Sequence, residues 1–345
     1  MLPSTTADDQ NLHARISRVQ KRVEAYLNSL GRQGKHRRDA GHGLICGLKN
    51  ATLLFMSVRD VNIVHIVINE DGAVFDELIE LITDCLEQLG HAVRRSTNTF
   101  DANRLNLLIG HTAFLKEKDY DTLRGFGSPY VVFQMEALNE RAGFAPDRAL
   151  YLQFLTQALQ VWDYAPENLP FLEAHGCRST QYVPLGYSKR LERIVHAPLK
   201  DIDVLFYGTG TPRRQHVVET LRDRGAGIET VTGYGPRRDE AIARSKIVLN
   251  LHQFETTQLE QVRLSYLLNN RCFVVSESAE SNPYGDGVLF SEYDHIVDCC
   301  ISYLRPEMES RRAEVADAGY ASLKAIPTVA GVRTALQRLG VARGG

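Results

Sequence analysis

The fold is decided by the stretch Ser245-Lys-Ile-Val-Leu-Asn-Leu251, then His252-Gln-Phe-Glu-Thr-Thr-Gln-Leu-Glu-Gln-Val-Arg263, and finally Arg271-Cys-Phe-Val-Val-Ser276. The first and last pieces are short apolar runs with β-branched residues, which is typical of strands buried on both faces of a parallel sheet. Between them, apolar residues recur at helical spacing from Gln258 to Leu268 and predict a helix. The order strand, helix, strand predicts an α/β unit.

The same alternation extends in both directions along the chain. In the C-terminal half it predicts further strands and helices at Asp203–Tyr207, Arg213–Arg224, Ile228–Thr232, Arg237–Arg244, Gly287–Phe290 and Ile296–Leu304. In the N-terminal half it predicts strands and helices at Asn62–Ile68, Phe75–Leu89, His91–Ser96, Leu105–Ile109, Tyr130–Gln134, Ala149–Leu159, Gln160–Tyr164, Pro166–His175 and Thr180–Val183. The sequence therefore predicts an α/β protein with two Rossmann-like, doubly wound domains facing a cleft.

A polar stretch with one proline, His196–Lys200, separates the two patterns and indicates a domain boundary. We expect an N-terminal helical extension with a basic linker over 1–50, an N-terminal domain over 51–197, a C-terminal domain over 198–305 and closing helices over 306–345. The basic stretch Arg32–Arg38 indicates a solvated linker, with contact to an acidic partner or a membrane surface as the alternative. The helix of the extension offers a surface for homodimer formation.

Composition excludes several classes of function. The net charge of −2 leaves no excess of Lys and Arg to neutralise a nucleic-acid backbone. The six cysteines form no pair or cluster at metal-ligand spacing, so no metal site is expected. The sequence contains neither a signal-peptide core nor an apolar run of transmembrane length, and we expect a cytoplasmic protein.

Three predicted strand ends in the C-terminal half carry polar residues that could bind an anionic ligand. Gly208, Thr209, Arg213 and Arg214 lie between a strand and a helix, where glycines and helix-start amides favour phosphate. This segment matches neither the dinucleotide fingerprint nor the Walker sequence, and a plain strand-to-helix turn is an equal alternative.

The second and third strand ends add carboxylates and an arginine. Glu255 lies in the loop after the predicted strand Ser245–Leu251. Glu260 and Arg263 are expected one turn apart on the following helix, where they could act together. A carboxylate suits two adjacent sugar hydroxyls and Arg263 suits a diphosphate. A surface ion pair is the alternative. Ser276 and Glu277 end the next strand.

Several of these segments resemble bacterial GT-B glycosyltransferases of the group 1 and CgeB-like families. The resemblance covers about 62–303 and rests on Leu249–His252, Leu259–Glu277, Val161–Tyr164, Tyr182–Tyr187 and Asp203–Gly208. It implies that the C-terminal domain binds a UDP- or GDP-linked sugar donor, with no cofactor and no obligatory metal. It also implies that the N-terminal domain binds a hydroxyl acceptor on a glycan, lipid or protein. The donor-site residues implied by the match are Gly208, Arg213, His252, Glu260, Arg263, Ser276 and Glu277.

One position departs from the family pattern. Tyr266 stands where many relatives carry a glutamate, on the helix before the predicted strand Arg271–Ser276. Glu260 then takes the ribose contact, the nucleotide is held differently, or donor binding is lost. An inverting enzyme needs a base near the acceptor, for which His111 and Glu136 are the candidates, with a capping or hydrogen-bonding loop role as the alternative. A nucleotide-sugar epimerase or hydrolase and a non-catalytic assembly or binding protein remain alternative functions.

Overall fold

Apolar strands flanked by amphipathic helices build the described chain. The computed structural model describes residues 60–67, 72–110, 128–138, 148–177, 179–253 and 258–341. All of them belong to one unit that spans residues 50–345. Several parts of the sequence expectation lie outside the described residues. They are the helical extension and basic linker, the polar residues Glu70 and Asp71 after the first predicted strand, and the site candidates His111 and Glu255.

The first sheet is parallel and six-stranded, in the order β2-β1-β3-β4-β5-β6. Its strands are β1 Asp60–His65, β2 Ala92–Thr97, β3 Leu105–Ile109, β4 Tyr130–Gln134, β5 Gln160–Asp163 and β6 Thr180–Tyr182, and its helices are α1 Asp76–Gln88, α2 Arg148–Gln157 and α3 Asn168–Ala174. Every residue of β3 and β4 is buried, as expected for central strands covered on both faces.

The second sheet is parallel and five-stranded, in the order β11-β10-β9-β7-β8. Its strands are β7 Ile202–Tyr207, β8 Ile228–Val231, β9 Ser245–Asn250, β10 Val274–Glu277 and β11 Leu289–Ser291, and its helices are α4 Pro212–Asp223, α5 Pro236–Arg244, α6 Gln261–Asn269 and α7 Ile296–Leu304. The strand order reverses between β1 and β3 in the first sheet and between β7 and β9 in the second. Ligands of open α/β sheets bind at such a switch point.

The two domains pack against each other directly. Arg238 on α5 donates to Glu77 on α1 across 2.7 Å, and both side chains are buried. The chain then continues through α8 (Glu309–Ala325) and α9 (Thr328–Arg338), and α9 packs against α1 of the first domain. No helix among the described residues is long and apolar enough to span a membrane.

Among the element boundaries that differ from the sequence expectation, two affect the site, and both differences have a local cause. Helix α6 begins at Gln261 rather than Gln258, because Glu260 has a non-helical N-cap backbone (φ −74°, ψ 67°). Strand β10 begins at Val274 rather than Arg271, because Arg271 has φ +50° and turns the chain away from the end of α6. Glu260 therefore precedes the helix instead of lying on it.

Candidate functional site

The loop after β7 begins with Gly208, at the switch point of the second sheet. Gly208 has φ +122°, and its amide donates to the carbonyl of Val231 on β8 across 3.1 Å. A side chain here would be strained by this φ, and its Cβ would lie 2.8 Å from Nη2 of Arg263, so the guanidinium would have to move. The absence of a side chain at Gly208 therefore lets a guanidinium approach the loop backbone.

Arg214, the second residue after the start of α4, holds two loops together. Its Nε and Nη2 donate to the carbonyl of Leu251 across 3.1 and 2.6 Å, and its Nη1 donates to the carbonyl of Thr209 across 3.0 Å. The side chain is buried. Burial, and then the charge of Arg263, lower the pKa of Arg214 to about 10. Arg214 joins the loops after β7 and β9 and stays a cation at neutral pH.

Arg213 and Glu277 form a two-pronged ion pair. Nη1 of Arg213 donates to one carboxylate oxygen of Glu277 across 2.7 Å, and Nη2 donates to the other oxygen. Glu277 also accepts from the amide of His252 across 3.1 Å. The guanidinium carbon lies 3.9 Å from the ring centre of Tyr293, whose hydroxyl donates to the carbonyl of Arg213 across 2.9 Å. This pair ties the helix after β7 to the end of β10.

His252 is fully buried between two acceptors. Its Nδ1 lies 2.9 and 3.0 Å from the carboxylate oxygens of Glu260, and its Nε2 lies 3.0 Å from the carbonyl of Ser278. Because both partners only accept, both ring nitrogens must carry a proton. Burial lowers the pKa of His252, but the hydrogen bond and charge of Glu260 outweigh burial, so the pKa lies above its ordinary value. The pairing with Glu260 therefore favours the protonated ring of His252.

Asn250, at the end of β9, links the acidic and basic groups. Its Nδ2 donates to Glu260 across 3.1 Å and to the hydroxyl of Ser276 across 3.0 Å. Its Oδ1 accepts from Nη1 of Arg263 across 3.3 Å. Asn250 is fully buried, so its amide fixes the relative positions of all three side chains.

Arg263 is the cation with the least compensation at this site. Its guanidinium packs 4.7 Å from the ring centre of Tyr207, and no ion pair to it forms within the described part of the chain. The expectation that Glu260 and Arg263 lie one turn apart on the same helix is wrong, because Glu260 precedes α6 and pairs with His252. Burial raises the pKa of Glu260, but His252 and, more weakly, the charge of Arg263 outweigh burial, and the pKa is lowered.

These contacts bring most of the sequence-predicted donor residues into one network at adjacent strand ends. The residues that it contains are Gly208, Thr209, Arg213, Arg214, His252, Glu260, Arg263, Ser276 and Glu277. Glu255 lies outside the described residues. Within the described ranges, no group of three or more His, Cys, Asp or Glu side chains is arranged to hold a metal ion.

The fold is similar to that of several solved structures. Anabaena Alr3699/HepE, solved in complex with UDP and glucose, aligns with a TM-score of 0.54 at 10% identity over 82% of this chain and 100% of its own. The apo structure of OtsA aligns with a TM-score of 0.52 at 9% identity over 81% of this chain and 99% of its own. The chain has the GT-B fold. At this identity the likeness establishes the fold alone.

Sequence relatives cover only part of this GT-B chain. Uncharacterized protein L137 of Acanthamoeba polyphaga mimivirus is 29% identical over 159 residues, which are 42% of this chain and 21% of L137. Uncharacterized protein R358 of the same virus is 27% identical over 155 residues, which are 42% of this chain and 53% of R358. The match thus spans a fifth to about half the length of these curated relatives. No protein-family model matches the sequence.

Tyr266, the departure from the family pattern, packs between the GT-B domains. It is buried, and its ring centre lies 4.5 Å from the guanidinium carbon of Arg238. Burial lowers the pKa of Arg238, but the charge of Glu77 outweighs burial, and the pKa is raised. Tyr266 therefore supports the cation of the interdomain ion pair, while Glu260 is a carboxylate close to the strand ends of the second sheet.

On the N-terminal side, Glu136 follows the end of β4 and is half-buried. The carbonyl of Glu136 accepts from Gln134 across 2.9 Å and from Asn168 across 3.1 Å. Nearby, burial raises the pKa of Asp163 to about 8, although the amide of Ala165 and two side-chain amides donate to it. His111, the other candidate base, lies outside the described residues. Trp162 is buried.

Three residues of the site were missed by the sequence reasoning. Asn250 is a polar residue inside an otherwise apolar strand, and that break in the pattern could have identified it. Tyr293 stacks on Arg213 from 80 residues away, and Gln258 reaches the other domain. Neither contact leaves a local signal in the sequence.

Proposed function

We propose that the protein is a glycosyltransferase that transfers a sugar from a nucleotide-diphosphate sugar to a hydroxyl acceptor in the cleft between its two domains. Arg263 is the observation that carries the proposal. This guanidinium lies beside the Gly208 backbone at the switch point of the second sheet, and no described carboxylate pairs with it. A cation without an ion-pair partner in that place suits the negative charge of a diphosphate.

The neighbouring residues fit the same ligand. Glu260, 28% exposed, keeps an ionised carboxylate at the strand ends, where it suits a ribose diol. Arg214 and His252 contribute fixed positive charge behind it. In this proposal the cations stabilise the leaving diphosphate electrostatically, without a metal, and Glu136 remains a candidate base for the acceptor hydroxyl.

The neighbouring folds support a UDP-linked donor, because HepE of the same fold was solved with UDP and glucose. UDP, GDP and their glucose- and mannose-linked forms would be titrated into the full chain by calorimetry, with thermal midpoints followed in parallel. We expect at least one nucleotide to bind and to raise the midpoint by mass action. A chain that binds none of them overturns the proposal.

Arg263→Ala provides the specific test. Loss of a charge-assisted contact costs about 1.5–3 kcal/mol, so the Kd for the bound nucleotide should rise about 10- to 150-fold. Arg263→Lys keeps the positive charge but loses the two-pronged guanidinium, so its Kd for the nucleotide should lie between those of wild type and Arg263→Ala. Arg224→Ala, an exposed arginine of the same domain, is the matched control and should bind as wild type does.

A further inference from the structure

Gln258 crosses from one domain to the other. It belongs to the segment between β9 and α6, yet its side chain is buried among groups of the N-terminal domain. Its Nε2 donates to the carbonyl of Met135 across 3.2 Å and to the hydroxyl of Tyr164 across 3.1 Å, and its Oε1 accepts from Nδ2 of Asn168 across 3.2 Å. Both ends of the amide are therefore used.

The groups that receive Gln258 are held in place by each other. Met135 follows β4 and Tyr164 follows β5, so both lie at the carboxyl edge of the first sheet. The Tyr164 hydroxyl donates to the carbonyl of Met135 across 3.0 Å, and Asn168 donates to the carboxylate of Asp163 across 3.0 Å. The socket is thus preorganised, and it lies where the N-terminal domain faces the cleft.

Gln258 is two residues from Glu260, which is the N-cap of α6. Gln261, the first residue of α6, is also buried, and its Nε2 donates to the carbonyl of Tyr164 across 3.3 Å. Two glutamines therefore fasten the backbone on both sides of Glu260 to one tyrosine of the other domain. Because the backbone is fixed there, the Glu260 carboxylate is held against His252.

We propose that Gln258 is a positioning residue that sets the donor-side carboxylate Glu260 from the acceptor-side domain. The inference rests on the proposed function and deepens it. One hydrogen-bonded chain runs from the strand ends of the first sheet, through Asn168 and Gln258, to the segment that carries Glu260. A nucleotide that needs Glu260 in place is then bound tightly only while the two domains stay joined at this socket.

Two substitutions separate positioning from structure. Gln258→Ala should raise the Kd for UDP or GDP about tenfold, because two or three modest hydrogen bonds are lost. The thermal midpoint without nucleotide should fall by only about 1–3 °C, since Tyr164 and Asn168 keep Met135 and Asp163 as partners. Tyr164→Phe removes one oxygen of the socket and should weaken binding by a smaller factor. Gln337→Ala, an exposed glutamine on α9, is the control.

The double variant Gln258→Ala/Tyr164→Phe should bind no more weakly than Gln258→Ala alone, because the Tyr164 hydroxyl acts on the Glu260 segment only through Gln258. Hydrogen exchange of amides 259–264 should speed up in Gln258→Ala and stay unchanged in Gln337→Ala. A Gln258→Ala protein with wild-type affinity, or with wild-type exchange over this segment, overturns the inference. If wild type binds no nucleotide, the proposed function fails. The exchange measurement alone then decides whether Gln258 fixes the backbone around Glu260.

Discussion

The buried ion pair between the domains makes a quantitative prediction about stability. Arg238 has 2% and Glu77 has 8% of its side chain exposed, and the two are joined by a 2.7 Å hydrogen bond. Glu77→Gln removes the charge and keeps the shape, so it leaves a buried guanidinium without its main counter-charge. Breaking such a pair on one side costs about 3–5 kcal/mol.

We expect the lower end of that range, because Asp239 also accepts from Arg238 across 2.7 Å and remains in the variant. A loss of about 3 kcal/mol corresponds to a fall of about 4 °C in the thermal midpoint for a chain of this size. Differential scanning calorimetry without nucleotide at neutral pH is the assay. Asp298→Asn is the matched control, since its pair with Arg224 is exposed and worth less than about 1 kcal/mol.

The double variant Glu77→Leu/Arg238→Met should recover most of the loss, because replacing both charges by apolar side chains removes the uncompensated cation. A midpoint for Glu77→Gln within about 1 °C of that for Asp298→Asn would refute the reasoning. It would mean that the Glu77 carboxylate contributes no more than a surface charge, and that Tyr266 and Asp239 are enough to stabilise Arg238.

Two further predictions concern the strand ends of the second sheet. Gly208→Ala places a Cβ 2.8 Å from Arg263 Nη2, so the guanidinium must move. Calorimetry should then show a Kd for the bound nucleotide about 10- to 100-fold higher. An unchanged affinity would contradict the role given to Arg263. His252 has a raised pKa, so its stabilising charge is fully present below the unfolded value of 6.5 and is lost as pH rises through the folded pKa. The gap in thermal midpoint between wild type and His252→Gln should therefore narrow from pH 6 to pH 9, and a constant gap would speak against a charged His252.

The sequence by itself determined the elements and their order. Apolar runs such as 203–207 and 245–251 are continuous and β-branched, and strands buried on both faces require that pattern regardless of their surroundings. The places of Gly208, Arg214, His252 and Glu277 could be predicted for a related reason. Each follows a strand, and the carboxyl ends of neighbouring parallel strands meet at one edge of the sheet.

Only the tertiary structure decided which charged groups pair with which. Helical spacing places Glu260 beside Arg263, but Gln258 is anchored in the other domain, and the helix begins after Glu260. Glu260 therefore pairs with His252, and Arg263 forms no ion pair with the described residues. Likewise, Tyr266 looks like a lost donor contact in sequence, whereas in the fold it packs on Arg238. Pairing depends on contacts between residues far apart in the chain, and these carry no local periodicity.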